Sequence, residues 1–140
     1  MNFEESLEMI EKALTDLIER NKDTPVLVEG ERDAEALKKL GLEGEIIVVQ
    51  CGKKISALCD FIAENYREVI ILTDWDRKGW QLYRRIEKNL KGRTRCIHDY
   101  RLIFARYSAV KDVQSLPNFI NHLRKHITSR GYGKNRKLLY

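Results

Sequence analysis

The sequence contains no apolar run that approaches the roughly 20 residues needed to cross a lipid bilayer. Its N-terminal segment is acidic and amphipathic, so it has neither the basic and apolar regions of a signal peptide nor the Arg-rich composition of a transit peptide. We therefore expect a cytoplasmic protein with no membrane partner. With 43% hydrophobic and 34% charged residues among 140, the composition is typical of one globular domain rather than of a disordered chain.

Cysteine is also scarce. The three cysteines, Cys51, Cys59 and Cys96, form no Cys-x-x-Cys pair and no Cys/His spacing typical of zinc sites. Their odd number and the expected intracellular setting favour reduced thiols that pack as small hydrophobic side chains. We assign no chemistry to them.

Acidic residues are absent after Asp112, whereas six Lys and Arg residues follow it. The net charge of +5 is unevenly distributed, because residues 1–50 carry 13 acidic and 6 basic side chains while residues 51–140 carry 8 acidic and 20 basic ones. Such asymmetry indicates a polyanionic partner, of which nucleic acid is the commonest. The alternative is a solvated basic tail that only maintains solubility.

Short apolar segments alternate with segments of helical periodicity. Residues 26–28, 46–49 and 69–72 have the character of buried strands, and residues 93–98 form a weaker fourth candidate. This alternation predicts an α/β fold, namely a single Rossmann-like domain with about four mostly parallel strands flanked by helices. A further helix is expected to begin near Pro117.

The same patterns predict how the chain is organised. We expect residues 1–23 to form an amphipathic helix that packs on the domain, and residues 24–127 to form the domain itself. Residues 128–140 are rich in Gly and basic side chains, which predicts a basic flexible C-terminal extension.

Three carboxylates follow predicted strands. Glu29 comes directly after residues 26–28, and Asp74 and Asp76 come just after residues 69–72. The carboxyl ends of parallel strands share one rim of a sheet, where ligands bind. Clustered carboxylates repel one another unless a cation intervenes, and Mg²⁺ prefers oxygen ligands. The arrangement therefore predicts a Mg²⁺ site, with Mn²⁺ as a possible substitute; the alternative is that all three acids cap turns and helices.

The residues around these acids resemble the two motifs of Toprim domains. Residues 26–33, Val-Leu-Val-Glu-Gly-Glu-Arg-Asp, resemble the family's hydrophobic-Glu-Gly-x-x-Asp motif. Residues 70–79, Ile-Ile-Leu-Thr-Asp-Trp-Asp-Arg-Lys-Gly, resemble its Asp-x-Asp-x-x-Gly motif. The family includes topoisomerases, bacterial-type primases and small ribosomal-RNA maturation nucleases, and its fold is a compact parallel sheet flanked by helices.

The resemblance implies roles for individual acids. Glu29 corresponds to the family's catalytic glutamate, and Asp74 and Asp76 correspond to its metal-binding aspartates. Asp33 matches the second acid of the first motif, and we expect this accessory residue to cap or orient a helix. Asp112, a second accessory residue, belongs to a segment that resembles a Lys-Asp element of primase-like and maturation-nuclease members.

Four basic residues are candidates for binding substrate phosphates. Lys53 follows the second predicted strand at the same rim of the sheet, although a solvated surface lysine would fit the sequence equally well. Arg77 and Lys78 lie inside the acidic motif, where they can neutralise substrate charge beside a metal. Lys111 directly precedes the acid of the Lys-Asp element.

The resemblance implies a Mg²⁺-dependent nucleic-acid phosphodiester enzyme, most similar to nuclease-like Toprim proteins. The chain has no P-loop and no sign of the additional domains with which topoisomerases and primases work. The small maturation nucleases and the stand-alone Toprim proteins common in archaea remain. Two alternatives are a non-catalytic nucleic-acid-binding Toprim module, or subunit of a larger DNA- or RNA-processing complex, and a small-molecule phosphohydrolase, which would leave the basic tail unexplained.

Overall fold

A computed structural model describes residues 2–129, and for residues 128 and 129 it describes the backbone alone. The expected C-terminal extension therefore lies outside the described residues, apart from the backbone of residues 128 and 129. The described chain forms six helices and four strands. In chain order these are α1 (Phe3–Asn21), β1 (Val26–Val28), α2 (Glu31–Lys39), β2 (Ile46–Val48), α3 (Ile55–Asn65), β3 (Glu68–Ile71), α4 (Arg77–Leu90), β4 (Arg95–Ile97), α5 (Asp99–Tyr107) and α6 (Leu116–Ser129).

The four strands form one parallel sheet in the order β2-β1-β3-β4. Val26 of β1 is paired with Ile46 on one side and with Ile70 on the other. The predicted α/β fold with about four mostly parallel strands is thus confirmed. Because β1 and β3 are neighbours, the loops after these two strands emerge side by side at one rim of the sheet.

Helices cover both faces of the sheet, as the strand sequences require. Val26 and Val28 pack with the buried residues of α1, α2, α5 and α6, whereas Leu27 packs with those of α3 and α4. In β3 the same alternation is seen, because Ile70 packs on the face covered by α1, α2, α5 and α6 and Ile71 packs on the face covered by α3 and α4. Successive strand residues point to opposite faces, so strands that are apolar at every position must be covered on both sides.

The first helix begins and ends with polar contacts at its termini. The side chain of Asn2 accepts a hydrogen bond from the main-chain N–H of Glu5 at 3.0 Å, which caps the helix. At the other end, the buried side chain of Asn21 donates to the carbonyl oxygens of Thr24 and Glu45 and accepts from the N–H of Gly44. Asn21 thereby attaches the end of α1 to the loop before β2.

One helix differs from what the sequence pattern predicts, and one agrees with it. Helix α5 was not predicted, because Arg101 is buried on the face where periodicity requires an apolar side chain. Helix α6 begins at Leu116, next to the expected Pro117, and buries Ile120, Leu123 and Ile127. None of the helices within residues 2–129 combines the length and apolar character needed to traverse a bilayer.

Candidate functional site

Glu29 and Asp74 lie together at the carboxyl rim of the sheet. Glu29 directly follows β1, and Asp74 lies three residues beyond the end of the neighbouring strand β3. Burial raises the pKa of Glu29, and hydrogen bonding to Asp74 opposes that rise. Oxygen Oε1 of Glu29 is buried and has no hydrogen-bond partner. An unsatisfied buried carboxylate oxygen is costly, so this atom is available for a proton or a cation.

Asp74 is the more strongly perturbed member of this pair. Burial, reinforced by the negative charges of Glu29, Asp33 and Asp112, raises the pKa of Asp74 to about 7. A hydrogen bond from the main-chain N–H of Val113 to Oδ1, at 3.1 Å, opposes the rise. Near neutral pH the two adjacent carboxyl groups are therefore disposed to share a proton or to bind a cation.

Asp76 has a different role from Asp74 in the local structure. It is the N-cap residue of α4, and its Oδ1 accepts a hydrogen bond from the N–H of Gly79 at 2.8 Å. Its side chain is exposed, but its charge still contributes to the raised pKa of Glu29. Asp76 thus caps α4 with one carboxylate oxygen, and its other oxygen has no capping role.

The two accessory acids also make local contacts. Asp33 is buried, and its Oδ2 accepts from the N–H of Gly30 at 3.1 Å, which stabilises the first turn of α2. Oδ1 of Asp112 accepts from the N–H of Ser115 at 2.8 Å, just before α6. Burial raises the pKa of Asp33, and the charge of Asp112 adds to that rise.

The segment that contains Lys111 and Asp112 packs directly on the loop after β3. The indole N–H of Trp75 donates to the carbonyl oxygen of Val110 at 2.6 Å. The main-chain N–H of Trp75 donates to the carbonyl oxygen of Lys111 at 3.0 Å. Together with the bond from Val113 to Asp74, these contacts hold the two segments in register. The Lys-Asp element thereby forms one wall of the site.

A cavity of about 410 Å³ opens beside the carboxylates. Four of the predicted acids line it, and Asp76 does not. Its lining residues are Glu29, Gly30, Glu31, Arg32, Asp33, Gln50, Asp74, Asp112 and Gln114.

None of the four predicted phosphate-binding cations lines this cavity. The ammonium group of Lys53 lies 5.4 Å from the ring centre of Phe61, on the side of the sheet covered by α3. Arg77 and Lys78 are exposed in the first turn of α4, and Lys111 is exposed as well. These residues lie near the rim, but the structure places their side chains outside the cleft that holds Glu29 and Asp74.

Arg32 is the cation that does line the cleft, although it is not among the residues predicted from the sequence. It occupies one of the two unspecified positions of the hydrophobic-Glu-Gly-x-x-Asp motif, so the motif carries no signal for it. Its place in the first turn of α2, three residues after Glu29, was the available indication.

Arg101 is a second residue that the sequence did not predict, and its side chain contacts the loop after β3. Its side chain is only 4% exposed and donates hydrogen bonds to the carbonyl oxygens of Thr73 and Asp74. The guanidinium lies 5.4 Å from the ring centre of Trp80 and 5.7 Å from that of Tyr83. Burial lowers the pKa of Arg101, and no short motif in the sequence indicates its position.

The glycine of the Asp-x-Asp-x-x-Gly motif has a steric explanation. A Cβ atom on Gly79 would lie 1.8 Å from the carbonyl oxygen of Asp74. The hydroxyl of Thr73 donates to the carbonyl oxygen of Gly79 at 2.9 Å, which holds the helix against the loop. Only glycine permits α4 to begin this close to Asp74.

The carboxyl pair fits a hard divalent cation. Within residues 2–129, no group of three or more His, Cys, Asp and Glu side chains is arranged so that it could hold a metal ion. Mg²⁺ needs only one or two carboxylates, however, when water and substrate phosphates complete its coordination. The unpartnered Oε1 of Glu29 and the raised pKa of Asp74 are the features that such a cation would relieve.

The chain is similar to several known proteins. The Toprim domain family matches residues 24–107. A UPF0292 protein of Methanocaldococcus jannaschii is 32% identical over 124 residues, covering 85% of this chain and 92% of that protein. One from Thermoplasma volcanium is 39% identical over 110 residues, covering 77% and 92%. A solved structure from Aquifex aeolicus has a TM-score of 0.67 at 19% identity, over 75% of this chain and 95% of that one, a likeness of fold alone.

Proposed function

Because this chain belongs to the Toprim domain family, we propose that it is a Mg²⁺-dependent enzyme that cleaves or transfers phosphodiester bonds in nucleic acid. The observation that carries the proposal is the half-buried pair of carboxyl groups, Glu29 and Asp74, at the rim of the sheet. Their raised pKa values and the unpartnered Oε1 of Glu29 are typical of a site prepared for chemistry rather than of a structural ion pair.

The roles of the acids follow from their surroundings. In the proposal Asp74 and Asp76 would hold Mg²⁺, for which Mn²⁺ could substitute, and the chemistry supplied there would be positive charge at a phosphodiester oxygen. Asp74 is oriented by the N–H of Val113, and Asp76 retains one oxygen that does not cap α4. In the proposal Glu29 would move the proton during transfer, because it lies beside Asp74 with a buried, unpartnered Oε1 and burial raises its pKa.

Positive side chains would bind the phosphates on either side of the reacting one. Arg32 lines the cleft and is the candidate for contact with the reacting phosphate. Lys53, Arg77, Lys78 and Lys111 are exposed, so in the proposal they contact the nucleic-acid backbone farther from the acids.

A non-catalytic nucleic-acid-binding module is the second candidate. Two observations favour it: Asp76 uses one oxygen to cap α4, and residues 2–129 contain no group of three acids arranged as a metal site. In that case the protein binds nucleic acid in a salt-dependent manner but does not convert it.

The experiment that separates the two candidates is a cleavage assay on structured RNA and on duplex DNA, with Mg²⁺, with Mn²⁺ and with EDTA. We expect metal-dependent cleavage that falls by roughly 100-fold or more in Asp74→Asn and in Glu29→Gln. These substitutions keep the size of each side chain while they remove its charge and replace one acceptor oxygen by an amide NH₂.

Matched controls are Asp23→Asn and Glu64→Gln. Both residues are exposed; Asp23 lies in the turn before β1, at the opposite end of that strand from Glu29, and Glu64 lies near the end of α3. They should retain full activity. Binding without turnover in either metal would favour the module, and cleavage that survives in both Asp74→Asn and Glu29→Gln would remove the proposed mechanism.

A further inference from the structure

A second cavity, of about 740 Å³, lies between the start of α3 and the outer side of α4. It shares no lining residue with the carboxylate cleft. The six residues that line it are Lys54, Ile55, Ser56, Arg85, Lys88 and Asn89.

All charged side chains that line this cavity are positive. Lys54, Arg85 and Lys88 line it, and none of its lining residues is acidic. Within α4, Arg85 and Lys88 are three residues apart, so they project from one side of the helix. Lys54, the residue directly before α3, lines the same cavity. Two cations from α4 and one from the start of α3 therefore converge on one cavity.

None of these three cations forms an ion pair with any residue in the described part of the chain. Other exposed cations of the protein do have such partners, since Arg93 pairs with Asp60 and Arg124 with Glu11. Like charges that share a cavity without counter-charge repel one another, and binding of an anion would relieve that repulsion.

We propose that this basic cleft binds backbone phosphates of nucleic acid at a position separate from the carboxylate cleft. Lys and Arg are the usual partners of phosphate oxygens, and Ser56 and Asn89 add polar groups that can also contact phosphate or sugar. The identification of the polyanion as nucleic acid rests on the proposed function. The convergence of three unpaired cations is an observation that does not depend on that proposal. A strand that contacts both clefts would be held at two places on the protein.

The test is equilibrium binding of a fluorescent duplex and a fluorescent single strand, measured by anisotropy in EDTA over a series of salt concentrations. EDTA prevents metal-dependent cleavage, so binding is measured apart from turnover. In the double variant Arg85→Gln/Lys88→Gln we expect the affinity to fall by at least about tenfold. The slope of log K against log salt is negative, and loss of two phosphate contacts should make it less steep. We expect its magnitude to decrease by about 1.8 for the duplex and about 1.4 for the single strand, if both cations contact phosphates.

The matched control is Lys12→Gln/Lys91→Gln, which changes the net charge by the same amount at two exposed lysines that line neither cleft. It should change the affinity by less than about twofold. The charge-preserving variant Arg85→Lys/Lys88→Arg should bind nearly as the wild type does. Lys54→Gln tests the opposite wall of the cavity, and we expect it to reduce the slope by about 0.9 on duplex.

Equal losses in the test and control variants would overturn the proposal, because they would show a general effect of net charge. Displacement of the duplex by polyglutamate more readily than by unlabelled duplex would overturn it in favour of an acidic protein partner. If Asp74-dependent cleavage is observed while Arg85→Gln/Lys88→Gln binds normally, only this inference fails. If the binding loss is observed without any cleavage, the inference stands and the enzymatic function fails.

Discussion

The guanidinium of Arg101 donates two hydrogen bonds to the main-chain carbonyl oxygen of Asp74, at 3.2 Å from Nε and 2.9 Å from Nη2. A third bond joins Nε to the carbonyl oxygen of Thr73 at 3.1 Å. The cation is thus held by main-chain dipoles and aromatic rings rather than by a direct ion pair. Its charge still acts on the nearby acids, since Asp76, Asp74 and Glu29 all oppose the lowering of its pKa by burial.

Replacing Arg101 with Ala should destabilise the protein and displace the loop that holds Asp74. Hydrogen bonds from a charged donor contribute about 1.5–3 kcal/mol each, and their removal leaves buried carbonyl oxygens unsatisfied, so we expect a loss of roughly 3 kcal/mol or more. Urea unfolding measures the free energy. Arg101→Lys should recover only part of it, because an ammonium group cannot reproduce the planar donor set.

Arg106→Ala is the matched control for Arg101, because Arg106 lies on the same helix, is exposed and stacks only on Tyr107. Its cost should stay below about 1 kcal/mol. A similar cost for both variants would show that Arg101 does not support the loop.

Gly79→Ala should be among the most damaging small substitutions in the chain. The added methyl group would lie 1.8 Å from the carbonyl oxygen of Asp74, so either α4 or the loop must move. Overpacking ordinarily costs about 1–3 kcal/mol, and a contact with rigid backbone should exceed that range. Gln81→Ala, at an exposed position of the same helix, should unfold at nearly the wild-type temperature. A stable, fully active Gly79→Ala protein would contradict this steric account.

The metal-free protein should lose stability between about pH 4 and pH 7 because of Asp74. Its pKa is raised from the ordinary value of 3.8 to about 7 in the folded state, chiefly by burial. A raised pKa means that the group favours folding when protonated, so this contribution is present below pH 4 and disappears as the pH rises through 7. Asp74→Asn stays neutral and can still accept the hydrogen bond from Val113.

In EDTA at pH 8 we therefore expect Asp74→Asn to melt above the wild type, by on the order of 1 kcal/mol or roughly 3 °C. The difference should vanish near pH 4. Thermal unfolding followed by circular dichroism at a series of pH values checks both statements, with Asp23→Asn as the control for an exposed aspartate. A wild type that is more stable than Asp74→Asn at pH 8 would show that Asp74 is favourably paired.

Mg²⁺ should raise the stability of the wild type at pH 8, where the ionised Asp74 destabilises the metal-free protein. A ligand that binds only the folded state stabilises it by RT ln(1 + [L]/Kd), which is about 2.7 kcal/mol at a concentration of 100 times Kd. Because protons and Mg²⁺ compete for the carboxylates, the effect should increase from pH 5 to pH 8. Melting temperatures with MgCl₂ and with NaCl of equal ionic strength measure it, and an equal Mg²⁺ effect in Asp74→Asn would place the ion elsewhere.

The fold was largely predictable because its signals are local. Each strand is a short apolar run, each helix between the strands has its own periodicity, and both motifs lie just after strands. Helix α5 was the exception, since a buried arginine is counted as an exposed residue by any pattern of apolar side chains. Its burial depends on carbonyl oxygens that lie 27 and 28 residues away in the chain.

By itself, the sequence determined that acids follow two of the strands, because an apolar run followed by a polar loop is a local property of the chain. Only the tertiary structure decided which acids meet. Glu29 and Asp74 are adjacent because β1 and β3 are neighbours in the sheet, whereas Asp76 is turned towards the free amides at the start of α4. Strand order and helix capping depend on contacts between distant segments, and spacing along the chain does not encode them.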